Sequence, residues 1–285
     1  MKHIIAITSI LAAGTLLANA ENIDVTTTRT KIDRTQATSV AGNTYTVSTG
    51  QVFLSGWNRS GGTVATSFDI NVILNGTGCV GDAYYDREIT AALRLGDKAT
   101  VAGQVTIGGD THIWSTTAEN GISGNIVTAD LDSTVTLMGT LTGTNNAQVS
   151  SSLLVLSGSS IVLPTLDVQQ YASLKFDSSD IAFSSITGQG AVSFAENSKI
   201  NLKEGETLSI AAGTLAFGST TLTSSMDNDT LLGAVSDYFK GAAISSVSFI
   251  GNVLTIEAIP EPSAFGLLAG LGALALAGTR RRRRK

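Results

Sequence analysis

Residues 174–217 read LKFDSSDIAFSSITGQGAVSFAENSKINLKEGETLSIAAGTLAF. Apolar pairs separated by one residue recur through them: Leu174/Phe176, Ile181/Phe183, Val192/Phe194, Ile200/Leu202, Leu208/Ile210 and Leu215/Phe217. A spacing of two puts both members of a pair on the same face of an extended strand, whereas a helix would need three or four. The pairs follow one another at steps of 7, 11, 8, 8 and 7 residues, with Asp, Asn, Ser, Gly or Glu in most of the intervals. Three such strands would close a triangular coil of about 22–26 residues, in which each coil buries its inward residues only by stacking on the next. The reading is all-β, a parallel β-helix or solenoid. Short strands with regular turns also fit an antiparallel sandwich or jelly roll, which stands as the alternative.

The same alternation runs back toward the N-terminus. Ile89, Ala91, Leu93 and Leu95 fall on one side of a strand, with Glu88, Thr90, Ala92 and Arg94 on the other. Gly96-Asp97 turns the chain, and Ala99, Val101, Gly103, Val105 and Ile107 repeat the pattern. An apolar-x-Gly-x-apolar unit recurs at Val101-Gly103-Val105, Ile122-Gly124-Ile126 and Leu137-Gly139-Leu141. Its glycine is expected on the inward face, where a missing side chain lets a neighbouring layer approach. Earlier still, Tyr45 and Val47 share a face, Phe68–Leu74 is a strand candidate, and Glu21–Ala41 is a Thr-rich leading segment. Toward the C-terminus, Asp229 or Thr230 is expected to cap a helix running to Lys240, with Leu231, Leu232, Val235, Tyr238 and Phe239 on one face. That helix would cover the open end of the solenoid. Val247–Ile250 and Val253–Ala258 around Gly251-Asn252 read as a hairpin with a two-residue turn.

Both ends differ from the body. Lys2 and His3 precede an apolar run from Ile4 to Leu17 and then Ala18-Asn19-Ala20. This is the layout of a secretory signal peptide over residues 1–20, cut by signal peptidase after Ala20. The next residue is not cysteine, which disfavours a lipoprotein. At the other end Pro260, Glu261 and Pro262 hold the backbone extended. An apolar Leu/Ala/Gly segment follows to Gly278, and Arg280, Arg281, Arg282, Arg283, Arg284 and Lys285 close the chain. The apolar segment is about 15–16 residues long, short against the roughly 17–25 of a comfortable transmembrane helix. A cationic tail stays cytoplasmic, orienting the segment. The domains are therefore residues 1–20, a strand-rich body over 21–258, and a C-terminal segment over 259–285.

The order Pro-Glu-Pro, short apolar helix, arginine cluster resembles the PEP-CTERM sorting signal of Gram-negative bacteria. The resemblance covers about a tenth of the chain. It implies a precursor held transiently in the inner membrane and cut near Pro260–Pro262 by an exosortase, a membrane cysteine protease. The Gly/Thr/Val-rich body is similar in composition to the passenger regions of autotransporter-type surface proteins.

Charge narrows the partners. Seven of the 18 basic residues lie in the end segments, leaving 11 against nearly all of the 23 acidic ones, so the body carries a net charge of about −12 with Glu261 counted. Nucleic acid, whose phosphates need a basic face, is not expected as a partner. Cys79 is the only cysteine, so no intramolecular disulfide forms.

Chemistry-bearing motifs are sparse. Gly76-Thr77-Gly78-Cys79-Val80-Gly81 matches a dinucleotide fingerprint, with Asp97 further on, but a strand and not a helix follows it, so it reads as a Gly-rich loop. His112, the one histidine left after signal removal, lies near Asp110 without a nucleophile elbow anywhere in the chain. One His and one Cys cannot supply a usual zinc site. Asp130/Asp132, Asp177/Asp180 and Asp227-Asn228-Asp229 are acidic clusters that turn chemistry explains without an ion. Asn58-Arg59-Ser60, Asn75-Gly76-Thr77 and Asn228-Asp229-Thr230 fit the N-glycosylation triplet. Residues 110–174 contain no Lys or Arg, which counts against lyase-type chemistry on the central coils. No cofactor, metal or catalytic residue is expected. The expectation is a non-enzymatic, exported structural or adhesive protein of the cell envelope or extracellular matrix, with extracellular polysaccharide as the macromolecule it would meet. The alternative is a polysaccharide-degrading enzyme or a carbohydrate-binding module using Trp57, Tyr84, Tyr85 or Trp114 as stacking platforms.

Overall fold

Leu174, Val192 and Leu215 share one register position on successive strands, and Phe176, Phe194 and Phe217 share another. Those strands run parallel, so the quoted stretch winds around an axis rather than folding back on itself. The computed structural model describes residues 20–25, 29–77, 91–116, 119–139 and 152–260. The chain there is mostly β-strand, wound into a parallel solenoid with three faces.

Face I stacks Asn22–Val25, Thr44–Val47, Asn71–Leu74, Val105–Ile107 and Ile126–Thr128 in turn. Face II stacks Arg29–Asp33, Gln51–Ser55, Ala92–Gly96, Thr111–Ser115 and Thr134–Met138. Face III runs from Thr66–Phe68 through Ala99–Val101, Asn120–Ile122, Ser152–Leu156, Ala172–Phe176 and Ala191–Phe194 to Thr214–Phe217. Two long strands, Ile161–Val168 and Ile181–Gly188, bend around the corner between faces I and II and serve both. Main-chain hydrogen bonds therefore run along the axis, at about 4.8 Å per coil.

The core is a set of ladders. On face I, Ile23, Tyr45, Val72, Val105, Ile126, Ile161, Ile181, Ile200 and Phe239 form one continuous column. On face III, Phe68, Val101, Ile122, Leu156, Phe176, Phe194 and Phe217 form another, and all seven are buried. Each large apolar side chain removed from water contributes roughly 1.5–3 kcal/mol. No coil gains that without its neighbours, because the column exists only between coils.

The sandwich alternative fails on strand direction. Among the described residues antiparallel pairing is confined to a Trp57–Asn58/Gly62–Thr63 hairpin and to the C-terminal end. All six apolar pairs of the quoted stretch are buried, but the coils are less uniform than expected. The turn of the solenoid from Ser173 to its partner Ala191 is shorter than the expected length, whereas the turn from Ile186 to Ile210 attains it. The reason is the bent strand: Ile181 and Phe183 face one side while Ile186 serves the next, with only Ser184 and Ser185, and no glycine, asparagine or aspartate, at the corner.

The glycines of the repeated unit also stand elsewhere than expected. Gly103 and Gly124 sit at the corner between faces III and I, not within a strand. A Cβ on Gly124 would lie closer than 3.0 Å to the Gly103 carbonyl oxygen, and one on Gly158 would meet the Gly124 carbonyl in the same way. Gly139 closes a different corner, against the Tyr171 carbonyl, and Leu141 lies outside the described residues. Asparagines fill the rest of the III–I corner. Asn71 Oδ1 accepts from the Gln104 amide (2.9 Å) and Asn125 Oδ1 from the Ser160 amide (3.1 Å), joining one coil to the next where the strands break.

The leading segment supplies two strands. Asn22–Val25 and Arg29–Asp33 form faces I and II of the first coil, and turns over residues 34–42 take the place of a face III strand. At Ala91 the alternation stops short of expectation. Ala91 is buried with φ of 52°, the strand starts at Ala92, and Glu88, Ile89 and Thr90 lie outside the described residues.

The C-terminal end is closed by antiparallel pairing. Val253–Ala258 pairs with Thr207–Ala211 and then with Ile244–Ile250, through a turn with positive φ at Gly251 (58°) and Asn252 (63°). The helix is shorter than expected, Asn228–Val235, and Asp227 caps it by accepting from the Thr230 amide (2.8 Å). A short 3-10 turn over Ser236–Tyr238 ends it, because Phe239 pairs with Ile200 as a face I strand. Leu231 and Val235 are buried, whereas Leu232 is 40% exposed, since an adjacent position on a helix points well away. Among the described residues no helix is long and apolar enough to cross a membrane, and the expected C-terminal membrane segment lies outside them.

Candidate ligand-binding face

Face II presents two outward columns. The first stacks Lys31, Phe53, Arg94, Trp114 and Met138; the second stacks Arg29, Gln51, Ala92, His112, Thr136, Asp167 and Thr187. Strand alternation places them there, because Ile32, Leu54, Leu93 and Ile113 turn inward.

In the first column cations and rings alternate. The Arg94 guanidinium lies 4.5 Å from the Phe53 centroid and 4.1 Å from the Trp114 ring. Lys31 Nζ lies 5.7 Å from Phe53 and 5.3 Å from Trp57, and Arg29 is 5.9 Å from Phe53. Such contacts contribute about 0.5–1 kcal/mol when exposed and more when desolvated. Trp114 is only 2% exposed despite its outward register, so it is no stacking platform. Trp57, on the small hairpin, is 41% exposed and remains a candidate for one. Tyr84 and Tyr85 lie outside the described residues.

The second column borders a groove of about 380 Å³ lined by Asp110, His112, Thr136, Met138, Asp167 and Gln169, among others. Burial pushes the His112 imidazole below its ordinary pKa, so it is neutral at pH 7. Its Nδ1 is buried and makes no hydrogen bond. Asp110 Oδ1 accepts from the Thr134 amide (2.7 Å), and Asp167 accepts from the Gln169 side chain. His112 and Asp167 stand two rungs apart in their column, roughly 9–10 Å between Cα atoms, and no hydrogen bond joins their side chains. The groove thus offers hydroxyl, amide and carboxylate groups to a polar ligand, without a nucleophile–base–orienter chain.

The remaining expected positions divide clearly. Asp130 Oδ1 accepts from the Asp132 amide within a turn, and Asp180 binds Asn201 (2.8 Å) and Lys240 (2.9 Å). Those bonds, Asn201 first, hold the Asp180 carboxyl below the usual carboxylate range. Among the described residues no group of three or more His, Cys, Asp or Glu could hold a metal ion. Gly76 is a corner glycine against the Asp110 carbonyl; Gly78, Cys79 and Gly81 lie outside the described residues. Asn58 is buried and accepts from Gly61 and Arg34. Ala20 is exposed at the first coil, where the Glu21 amide donates to Asn43. Pro260 is exposed beside Gly205 at the last coil. Ala18, Glu261, Pro262 and Arg280–Arg284 with Lys285 lie outside the described residues.

Sequence reading missed the role of Arg29, Lys31, Phe53 and Arg94. The signal was present: each of Lys31, Phe53 and Arg94 is preceded by Thr, Val or Leu and followed by Ile or Leu, so each is the outward residue of an inward pair. Comparison with protein-family models, with curated proteins and with solved structures returned no match for this chain.

Proposed function

We propose that this chain is an exported, non-catalytic structural and adhesive protein of the cell envelope or extracellular matrix, with a β-helical body and a sorting signal at its C-terminus. The observation that carries the reading is where the body begins and ends. Ala20 stands at the first coil and Pro260 leaves the last one exposed, so both expected cleavage points are reachable on a folded rod. A stack of coils suits a spacer, since its length grows by one rung per coil and its outward rows stay free for contacts.

In this scheme signal peptidase cuts after Ala20. The apolar segment after Pro262 parks the precursor in the inner membrane, and Arg280–Arg284 with Lys285 stop it there, because several arginines do not enter hydrocarbon cheaply. The Pro-Glu-Pro stretch keeps the junction extended for an exosortase-type protease. Replacing Arg280–Arg284 by Ser is expected to abolish C-terminal processing, read as the intact mass of the exported protein in its native host. Unchanged processing, or wild-type mature material that keeps the arginines, overturns the scheme.

The groove beside His112 favours a second reading, a glycan-binding or glycan-cleaving body. Product release from a polysaccharide panel, lost in His112→Ala, would replace the structural reading with it.

A further inference from the structure

We propose that Lys31, Trp57, Arg34 and Arg59, on the first two coils beside face II, form a binding patch for the carboxylates and ring faces of an anionic polysaccharide. The exported location proposed above puts such a ligand within reach, while the geometry of the patch is independent of it.

Lys31 is exposed, and its Nζ is held near two rings, Phe53 at 5.7 Å and Trp57 at 5.3 Å. An aromatic face localises a cation without neutralising it, so the ammonium keeps its charge for another partner. Trp57 belongs to the hairpin Trp57–Asn58/Gly62–Thr63, whose tip carries the exposed Arg59. The hairpin is pinned to the first coil. Asn58 Oδ1 accepts from Arg34 Nη2 (3.2 Å) and from the Gly61 amide (2.8 Å). A Cβ on Gly61 would collide with the Arg34 guanidinium, which shows how closely the two pack. The patch is thus built before any ligand arrives, which lowers the ordering cost of binding.

Among the nearby carboxylates, Asp33 is held below the usual carboxylate range, first by its hydrogen bonds to Thr35 and then by the charges of Lys31 and Arg34. It therefore offsets part of the patch's charge, and the patch also rests on Trp57 and the exposed Arg59. Asp33 accepts from the Thr35 amide (2.9 Å) and hydroxyl, and Asp97 accepts from the Ser55 hydroxyl (2.8 Å). The charge contrast along the rod is steep, since residues 110–174 hold no Lys or Arg and the whole chain is net −5. A local cationic patch on an acidic body selects for a ligand with spaced negative charges. A dense polyphosphate would be repelled by the rest of the surface, and it needs more cations than this patch supplies. An exposed indole stacks on the apolar face of a sugar ring, and the neighbouring cations then pair with its carboxylate.

The test is affinity electrophoresis and calorimetry of the purified protein with polygalacturonate, with neutral dextran and a single-stranded DNA oligonucleotide as comparison ligands. Polygalacturonate is expected to bind, more weakly as salt rises, and Trp57→Ala and Lys31→Gln are each expected to weaken it about tenfold. Arg59→Gln, at the exposed hairpin tip, gives a variant with little risk to folding and is expected to weaken binding several-fold. Lys203→Gln, remote on an exposed turn, should leave binding unchanged. No binding to polygalacturonate overturns the proposal, as does equal binding of dextran or DNA, or an equal loss in Lys203→Gln. None of these outcomes bears on C-terminal processing, which the mass measurement reads separately.

Discussion

The two halves of the solenoid use aromatic side chains differently, although Tyr45 and Phe68 of the first half are also buried. After Leu174 the rings are inside. Phe176, Phe194 and Phe217 stack with centroids 4.9 and 4.8 Å apart and planes within 6° and 11°, and Tyr238 closes the stack edge-on. Before Met138 three rings lie on or beside face II, where Phe53, Trp57 and Trp114 meet cations. Coil length differs as well. In the first half the chain takes long excursions between some partners, from Val72 to Val105, from Gln51 to Ala92 and from Ile126 to Ile161, beside short ones such as Val105 to Ile126. In the second it returns sooner, from Ser173 to Ala191 or from Ile186 to Ile210, until the capping helix intervenes between Ile200 and Phe239. A minimal coil has room for little except its own stack, so its rings go inward and stabilise the rod. A coil with inserted chain has residues to place on the surface, and it is there that the groups of the proposed binding patch collect.

Substitutions should separate the halves. Phe194→Ala, in the middle of the ring stack, is expected to cost about 3–5 kcal/mol, whereas Phe53→Ala should cost only about 1 kcal/mol. Denaturant titration of both variants checks this, and equal losses would erase the distinction between an interior stack and a surface one. Gly124→Ala comes next, since a methyl group there meets the Gly103 backbone carbonyl and cannot be moved aside. It is expected to cost at least about 1–3 kcal/mol, and faster amide exchange at the III–I corner should accompany it. The smallest effects are electrostatic. Burial lowers the folded pKa of His112, so its contribution is complete above its unfolded pKa, near 6.5, and is lost as pH falls below that value. Asp180 is also depressed, so its contribution holds above the ordinary carboxylate value and is lost below about 3.8. Half-exposed as that pair is, it contributes no more than about 1 kcal/mol. Melting from pH 7 to pH 5 should show a slope that His112→Gln flattens and Asp180→Asn leaves alone.

Much of the second half was legible because most of its coils carry no insertions. The pairs from Leu174/Phe176 to Leu215/Phe217 keep their beat. The hairpin around Gly251-Asn252 announces itself by turn chemistry, since glycine and asparagine tolerate the positive φ that such a turn demands. The helix was legible in kind but not in extent, because Phe239 is claimed by pairing with Ile200, a contact invisible to local periodicity. The candidate binding face was harder. Lys31, Phe53, Arg94 and Trp114 form one column, yet the stretch of chain from Phe53 to Arg94 is far longer than those on either side of it. Unequal insertions of that kind conceal a shared register.

The chain by itself determined that this is a repetitive β-protein, since alternation and turn residues are local properties, and its terminal patterns are what the proposed export and sorting rest on. Only the tertiary structure decided that the strands run parallel, that the repeated glycines stand at corners, and that cations alternate with rings along face II. Those outcomes depend on which residue lies one coil away, and that distance is a sum of loop lengths that no local pattern records.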